Sequence, residues 1–150
     1  MLLRALALAC VAAWLGIMAF FSFAVAPLVF REVDRAVAGQ VVAVVLPRYY
    51  AWGLALCAIA FVALVVLLVR GGAGRLRPGA AAVLCAGMLA MLGWTAAVGL
   101  PRAEAARRAR NDGEFASAHR LAVRLNVATL GAGVLVLVLL GLSPAGRRRQ

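Results

Sequence analysis

One polar stretch interrupts a strongly apolar sequence and has side chains that could do chemistry. It covers residues 114–126 and includes His119, Arg120 and Asn126. On a helix, His119, Ala122 and Asn126 share one face, because they are three and seven positions apart. In lipid, such a face usually turns toward other helices, where it can bind a ligand, a proton or a metal. The structural alternative is that His119 and Arg120 anchor the helix at the headgroups, while Asn126 hydrogen-bonds to another helix.

A second polar set lies earlier in the chain. Arg31 ends the first apolar stretch, and Arg48, Tyr49 and Tyr50 follow Pro47. Taken one at a time, these residues have ordinary explanations, since tyrosine is common at the membrane interface and arginine extends its charged end to the headgroups. The two sets together are more informative than any single residue, and if the chain has a site we place it among them.

Metal and catalytic chemistry have little support in the sequence. The single histidine of a monomer cannot provide two haem ligands. Cysteine and methionine suit Cu(I), but we expect Cys10 and Cys85 near one membrane surface and Cys57 nearer the other. No nucleophile–base pair, phosphate-binding loop or zinc-protease motif occurs. We therefore predict a protein that is not an enzyme, with no catalytic residues, no cofactor, no metal site and no disulfide.

Composition indicates that lipid is the solvent for most of the chain. Of the 150 residues, 66% are hydrophobic, against roughly 45–50% in soluble domains. The net charge of +11 comes from 16 basic residues, all arginine. These arginines flank apolar runs rather than forming one basic surface, which argues against binding to nucleic acid. Abundant arginine without lysine is typical of GC-rich codon usage and suggests a bacterial source.

Four apolar stretches are long enough to cross a bilayer as helices. A span needs about 20 apolar residues, and its backbone groups must hydrogen-bond within the segment. The first stretch is longer than the core of a signal peptide, and Pro27 would follow the apparent cleavage site, so we expect a retained span. We predict a single all-α domain over residues 1–150, an integral membrane four-helix bundle. Its predicted spans are about 5–30, 41–69, 80–100 and 116–142.

The connections between the spans also carry predictions. The second helix should begin before Pro47 and bend there, because proline removes a backbone donor. Residues 70–79 read as a Gly- and Arg-rich turn, and residues 101–110 as a short helix on the membrane surface. Residues 111–113 are predicted to form a turn, and the tail at residues 143–150 carries three consecutive arginines just before Gln150.

Topology brings the two polar sets to one side of the membrane. With four spans, both termini and the 70–79 turn share the opposite side. Arginines are almost evenly divided between the sides, but several on the polar side should lie in helix ends. Discounting these arginines places both termini in the cytoplasm. The predicted location is the cell (inner) membrane. The candidate polar site on the non-cytoplasmic face consists of Arg31, Arg48, Tyr49, Tyr50, His119, Arg120 and Asn126, with Asp34 and Arg102 nearby.

The third span has a row of small residues that would allow close helix packing. We expect this row to pack inside the monomer. The alternative is an interface with another copy or another membrane protein. The row consists of Gly79, Ala82, Ala86, Ala90, Gly93 and Ala97.

Several short motifs carry a resemblance to a known family. They are Trp14-Leu15-Gly16, Phe20-Phe21-Ser22-Phe23, Ala26-Pro27, Phe30-Arg31, Ala38-Gly39, Pro47-Arg48-Tyr49-Tyr50, His119-Arg120-Leu121 and Leu125-Asn126. In this order and spacing the chain resembles the transmembrane-protein-205-like family. Leu46 stands where that pattern has Phe, and the third span carries no matching motif. The resemblance implies a four-helix integral membrane protein and, because that family is a domain of unknown function, little about activity.

The functional hypothesis is a non-enzymatic membrane protein that binds or passes a small molecule or ion at the polar site. One alternative is an assembly or scaffold protein that pairs through small-residue helix faces. Another is a membrane metal or redox protein. The expected partners are the lipid bilayer, an unidentified small molecule, and another copy or a membrane-protein partner, with no nucleic acid.

Overall fold

The computed structural model describes residues 1–71 and 75–142. Within these ranges the protein is almost entirely helical and contains no strand. All four helices of the described chain are long and apolar enough to cross a membrane. The chain is a multi-pass membrane protein with an all-α four-helix bundle, as the sequence predicts. The helices are α1 (Leu2–Glu32), α2 (Arg35–Val69), α3 (Leu76–Arg108) and α4 (Asp112–Gly141).

Helices α1 and α3 share an irregularity at corresponding positions. Each contains one π-helical turn, Phe21–Val25 in α1 and Thr95–Gly99 in α3. In both, the amide just before a proline, Pro27 or Pro101, donates to the carbonyl five residues earlier. Proline lacks an amide hydrogen, and its ring conflicts with the carbonyl four residues before it. The wider turn accommodates that conflict, so both helices cross the proline without breaking.

The structure corrects the prediction of a separate surface helix after Pro101. Helix α3 continues through Pro101 as far as Arg108, because the wider π turn before the proline leaves room for its ring and for the carbonyl that it cannot bond. The predicted turn that follows is in place, and Asn111 caps α4 by accepting a hydrogen bond from the Glu114 amide at 3.1 Å. Helix α2 begins well before Pro47, as predicted. Residues 72–74 of the Gly- and Arg-rich turn and the tail at residues 143–150 lie outside the described residues.

Glycines allow α1 to pack closely against two neighbours. The fully buried Trp14 ring lies over Gly53 of α2, where an added Cβ would stand 2.6 Å from the indole Cη2. Leu15 lies over Gly133 of α4, where a Cβ would stand 2.7 Å from the leucine Cδ2. Helix backbones approach closely where a glycine faces a large side chain. These contacts hold α1, α2 and α4 together through the middle of the bundle.

The small-residue row of α3 does not face the bundle as predicted. Ala82 is buried, but Ala86, Ala90 and Ala97 are exposed on the outer surface of the monomer. Larger side chains fill the inward face, and their hydrophobic contacts in the core determine how the helix is rotated. The inward face consists of Ala81, Cys85, Met88, Leu92, Thr95 and Gly99.

Candidate functional site

The helices surround a partly open cavity at the end of the bundle where α1 ends and α2 begins. Its volume is about 1200 Å³, and all four helices contribute to its wall. Ligand pockets are typically about 300–1,000 Å³, so the space would hold a sizeable molecule. The wall is mostly apolar, with a few polar side chains. Those polar side chains are Ser22, Gln40, Tyr49, Tyr50, Glu104, Arg107, Arg108, His119 and Asn126.

Aromatic rings form the inner end of this cavity. Tyr49 lies at the centre, with its ring centroid 4.8 Å from that of Trp14, 5.0 Å from that of Phe21 and 5.1 Å from that of Tyr50. The Tyr49 hydroxyl donates a hydrogen bond to Asn126 Oδ1 at 3.2 Å. This bond joins α2 to α4 across the cavity. Helix α2 thus places a tyrosine donor against the half-buried amide of α4.

Helix α4 presents its predicted polar face to the cavity. His119, Ala122 and Asn126 all line the wall, as their helical spacing predicts. The His119 ring stacks on Phe115, with centroids 6.1 Å apart and an interplanar angle of 11°. The structural alternative predicted a hydrogen bond between Asn126 and another helix, and this bond is present, since the Asn126 carbonyl oxygen accepts from Tyr49. The same side chain also lines the cavity.

A charged cluster at the rim was missed in the sequence. Arg107 binds the Glu104 carboxylate through Nε and Nη2 at 2.9 and 2.8 Å, and Arg108 binds it through Nε at 3.0 Å. Two guanidinium groups and one carboxylate leave one positive charge at the rim. The spacing of three and four residues was a usable signal, because such positions are neighbours on a helix. The predicted separate surface helix over residues 101–110, however, keeps these side chains away from the expected site.

Three of the predicted site residues are elsewhere. Arg31, Arg48 and Arg120 are exposed and do not line the cavity. Arg31 pairs with Glu32 at 3.2 Å, and Arg48 Nη1 lies 3.5 Å from the Val44 carbonyl. Arg48 comes directly before the cavity residue Tyr49, and Arg120 comes directly after His119. Side chains of adjacent residues on a helix point about 100° apart, so both arginines face away from the cavity. The nearby Asp34 and Arg102 are also exposed and outside the wall.

The three cysteines are buried in the core. Cys10 and Cys85 belong to one core cluster, whereas Cys57 belongs to the other, together with Tyr49 and Tyr50. The membrane depth expected for each thiol stays a prediction. Across residues 1–71 and 75–142, no group of three or more His, Cys, Asp or Glu side chains is arranged to hold a metal ion.

Comparison with known families gives one match. A family model described as a domain of unknown function (DUF4149) matches residues 9–112, more than half of the chain. The matched region contains Tyr49, Tyr50 and the rim cluster, and it ends where α4 begins, before His119 and Asn126. No curated protein and no solved structure matches the chain. The match does not link the chain to the transmembrane-protein-205-like family, and that resemblance stays a prediction. The chain belongs to the DUF4149 family, a domain of unknown function.

Proposed function

We propose that this protein is a non-enzymatic membrane protein that binds or passes a small molecule or ion in the cavity. The observation that carries the proposal is the convergence of Tyr49, Tyr50, His119 and Asn126 on one space of about 1200 Å³. These residues come from two helices distant in sequence. Side chains that served only as headgroup anchors would not need to surround an open space.

The structural alternative explains less of the site. Headgroup anchors point outward to the interface, whereas Tyr49 and Tyr50 are buried. A hydrogen bond between helices needs only Tyr49 and Asn126 and does not explain the polar groups beside them. A mostly apolar wall with a few directed polar groups is the usual composition of a ligand site.

The proposal places the cavity on the non-cytoplasmic side of a cell membrane. Support comes from arginine placement, since Arg31, Arg48, Arg120 and Arg124 lie inside helices rather than in loops. Cytoplasmic loops carry most of the arginines that orient a membrane protein. With these four discounted, the end that carries both termini is the richer in arginine.

Mass spectrometry of the intact protein, released gently from detergent, tests whether the cavity holds a molecule. The wild type should retain a non-covalently bound molecule. Ala122→Phe, which adds a ring inside the cavity, should lose it. Ala128→Phe adds the same ring to the same helix on the exposed side and should retain it. Equal retention in both variants, or none in the wild type, would contradict the proposal.

A second comparison tests the polar groups. With the retained molecule added back, its stabilisation against heat should fall in His119→Ala and stay at the wild-type level in Arg48→Ala, because only His119 lines the cavity. Both variants should fold normally without ligand, since both side chains are exposed. A loss of folding in His119→Ala would instead favour a structural role.

The scaffold alternative has one observation in its favour. Ala86 and Ala90 are exposed on α3, where small residues allow another helix to approach. On this alternative Ala86→Leu should dissociate a crosslinked complex. Finding only monomer by crosslinking, with and without the substitution, would reject it.

A further inference from the structure

The cavity is open toward the hydrocarbon of the bilayer. Phe23, Val44 and Val127 line it, yet they are 77%, 63% and 62% exposed. A side chain enclosed in a cavity wall keeps little accessible surface, so these residues lie where the cavity meets the outer surface. They are apolar and lie within α1, α2 and α4. A molecule dissolved in the bilayer can therefore enter from the side without crossing water.

The rim has unused hydrogen-bond donors beside its net positive charge. Arg108 binds Glu104 through Nε alone, so its two Nη nitrogens have no partner among the residues that the structure describes. Arg107 likewise keeps Nη1 free in the described chain. Guanidinium groups bind phosphate strongly because two parallel N–H groups match two oxygens. The rim is thus complementary to a single anionic headgroup.

The cavity wall offers one further hydrogen-bond donor, a tyrosine hydroxyl without a protein partner. Tyr50 is only 5% exposed and lines the cavity. Its hydroxyl makes no hydrogen bond to any residue in the described ranges, although the neighbouring Tyr49 hydroxyl binds Asn126. The fully enclosed polar atom without a partner in the described chain is Trp14 Nε1 and not this hydroxyl, so the Tyr50 hydroxyl is accessible from the cavity and keeps a free donor. A carbonyl or ester oxygen of a ligand inside the cavity would provide the missing acceptor.

We propose that the cavity binds a membrane lipid with an anionic headgroup. The phosphate lies against Arg107 and Arg108, an ester oxygen accepts from Tyr50, and the acyl chains occupy the apolar wall and pass out between the helices. This inference rests on the proposed function, because it specifies the ligand class of the same cavity.

Lipid titration of the purified full-length protein tests this proposal. Protein in a neutral detergent is titrated with phosphatidylglycerol or with phosphatidylcholine, and bound lipid is counted by mass spectrometry of the intact complex. Phosphatidylglycerol should bind several-fold more tightly. Arg108→Gln should weaken it by about fivefold, the effect of one arginine near an anionic lipid, and should leave phosphatidylcholine unchanged. The matched control is Arg102→Gln, an exposed arginine of the same helix outside the wall, which should bind both lipids like the wild type.

Two further variants test the interior. Tyr50→Phe should weaken both lipids equally, because the ester oxygens are common to both. Gly39→Leu should weaken both more strongly, since Gly39 lines the cavity and has no neighbour within 4 Å of an added Cβ. This glycine substitution has room in the fold, so it keeps the test valid if Ala122→Phe fails to fold.

Three results would overturn the proposal. Equal binding of the two lipids to the wild type would show that the cavity has no preference for an anionic headgroup. If Gly39→Leu still blocks binding in that case, the proposed function remains supported. Full displacement of phosphatidylglycerol by inorganic phosphate would assign the rim to a free anion. Unchanged lipid binding in Gly39→Leu and Ala122→Phe would place the lipid on the outer surface, and the fate of the proposed function would then depend on the retained-molecule experiment.

Discussion

Tyr49 joins the core of the bundle to the candidate site. Its ring is buried against Trp14 and Phe21, while its hydroxyl reaches Asn126 on another helix. Within lipid no water competes for that hydroxyl, yet interhelical hydrogen bonds in membranes contribute only modestly, because an unfolded chain in the membrane also finds partners. Its neighbour Tyr50 has a similarly buried ring and no hydrogen bond within the described chain. Tyr50→Phe is therefore a matched control for Tyr49→Phe, because only Tyr49 would lose a hydrogen bond.

Tyr49→Phe should destabilise the fold by about 0.6 kcal/mol, the average for a membrane hydrogen bond. The ring contacts remain, so the loss is that of the hydrogen bond alone. Tyr50→Phe should cause a smaller loss or none. The measurement is unfolding in mixed micelles with increasing sodium dodecyl sulfate, followed by circular dichroism. A loss in Tyr50→Phe as large as that in Tyr49→Phe would show that the Tyr49–Asn126 bond does not hold the helices together.

At the scale of the helices, close packing is concentrated on two glycines that face α1. Gly53 and Gly133 receive Trp14 and Leu15, and an added Cβ would overlap either side chain. The Trp14 indole Nε1 has no hydrogen-bond partner in the described part of the protein, so this ring is held by shape and apolar contact. Toward the other end the helices surround the cavity, where α1 and α3 carry their π turns. The close glycine contacts and the open space thus lie in different parts of the bundle.

Gly53→Ala should destabilise the bundle by about 1–3 kcal/mol, the usual cost of overpacking a core. The added methyl group would stand 2.6 Å from the buried Trp14 ring, which has no free space to move into. The control is Gly87→Ala on α3, where nothing lies within 4 Å of the new Cβ and stability should stay level or rise. The same detergent unfolding assay measures both. Adding Trp14→Phe to Gly53→Ala should recover part of the loss, and a neutral Gly53→Ala would show that the helices are not in this contact.

For the whole molecule, the fold separates two kinds of chemistry. The three thiols are buried in the apolar core. The polar cavity and its charged rim lie at one end of the bundle. The native cysteines should therefore not react with thiol reagents in the folded protein. A single introduced cysteine can then show which side of the membrane its position faces.

A membrane-impermeant maleimide should label His119→Cys from outside intact cells and leave the wild type unlabelled. Arg77→Cys, an exposed position near the beginning of α3, should label only after the membrane is opened. These results follow if the cavity faces the non-cytoplasmic side. The reverse pattern would invert the topology, and labelling of the unmodified protein would contradict the burial of Cys10, Cys57 and Cys85.

Much of the architecture could be predicted because lipid imposes a simple rule. A long apolar segment has to satisfy its own backbone hydrogen bonds, so span number and helical fold follow from composition. Helical spacing alone also placed His119 and Asn126 on one face, and the structure brings both to the cavity. Such properties are local, since each depends on residues within one helix.

Tertiary packing decided what local pattern could not. Which of two adjacent residues faces inward depends on how each helix is rotated, and that rotation follows from contacts such as Trp14 on Gly53. For this reason Arg48 turned out to point away while Tyr49 forms the cavity wall. The sequence by itself determined the helices and their membrane setting, whereas the cavity exists only because four helices pack around it and each contributes part of its wall.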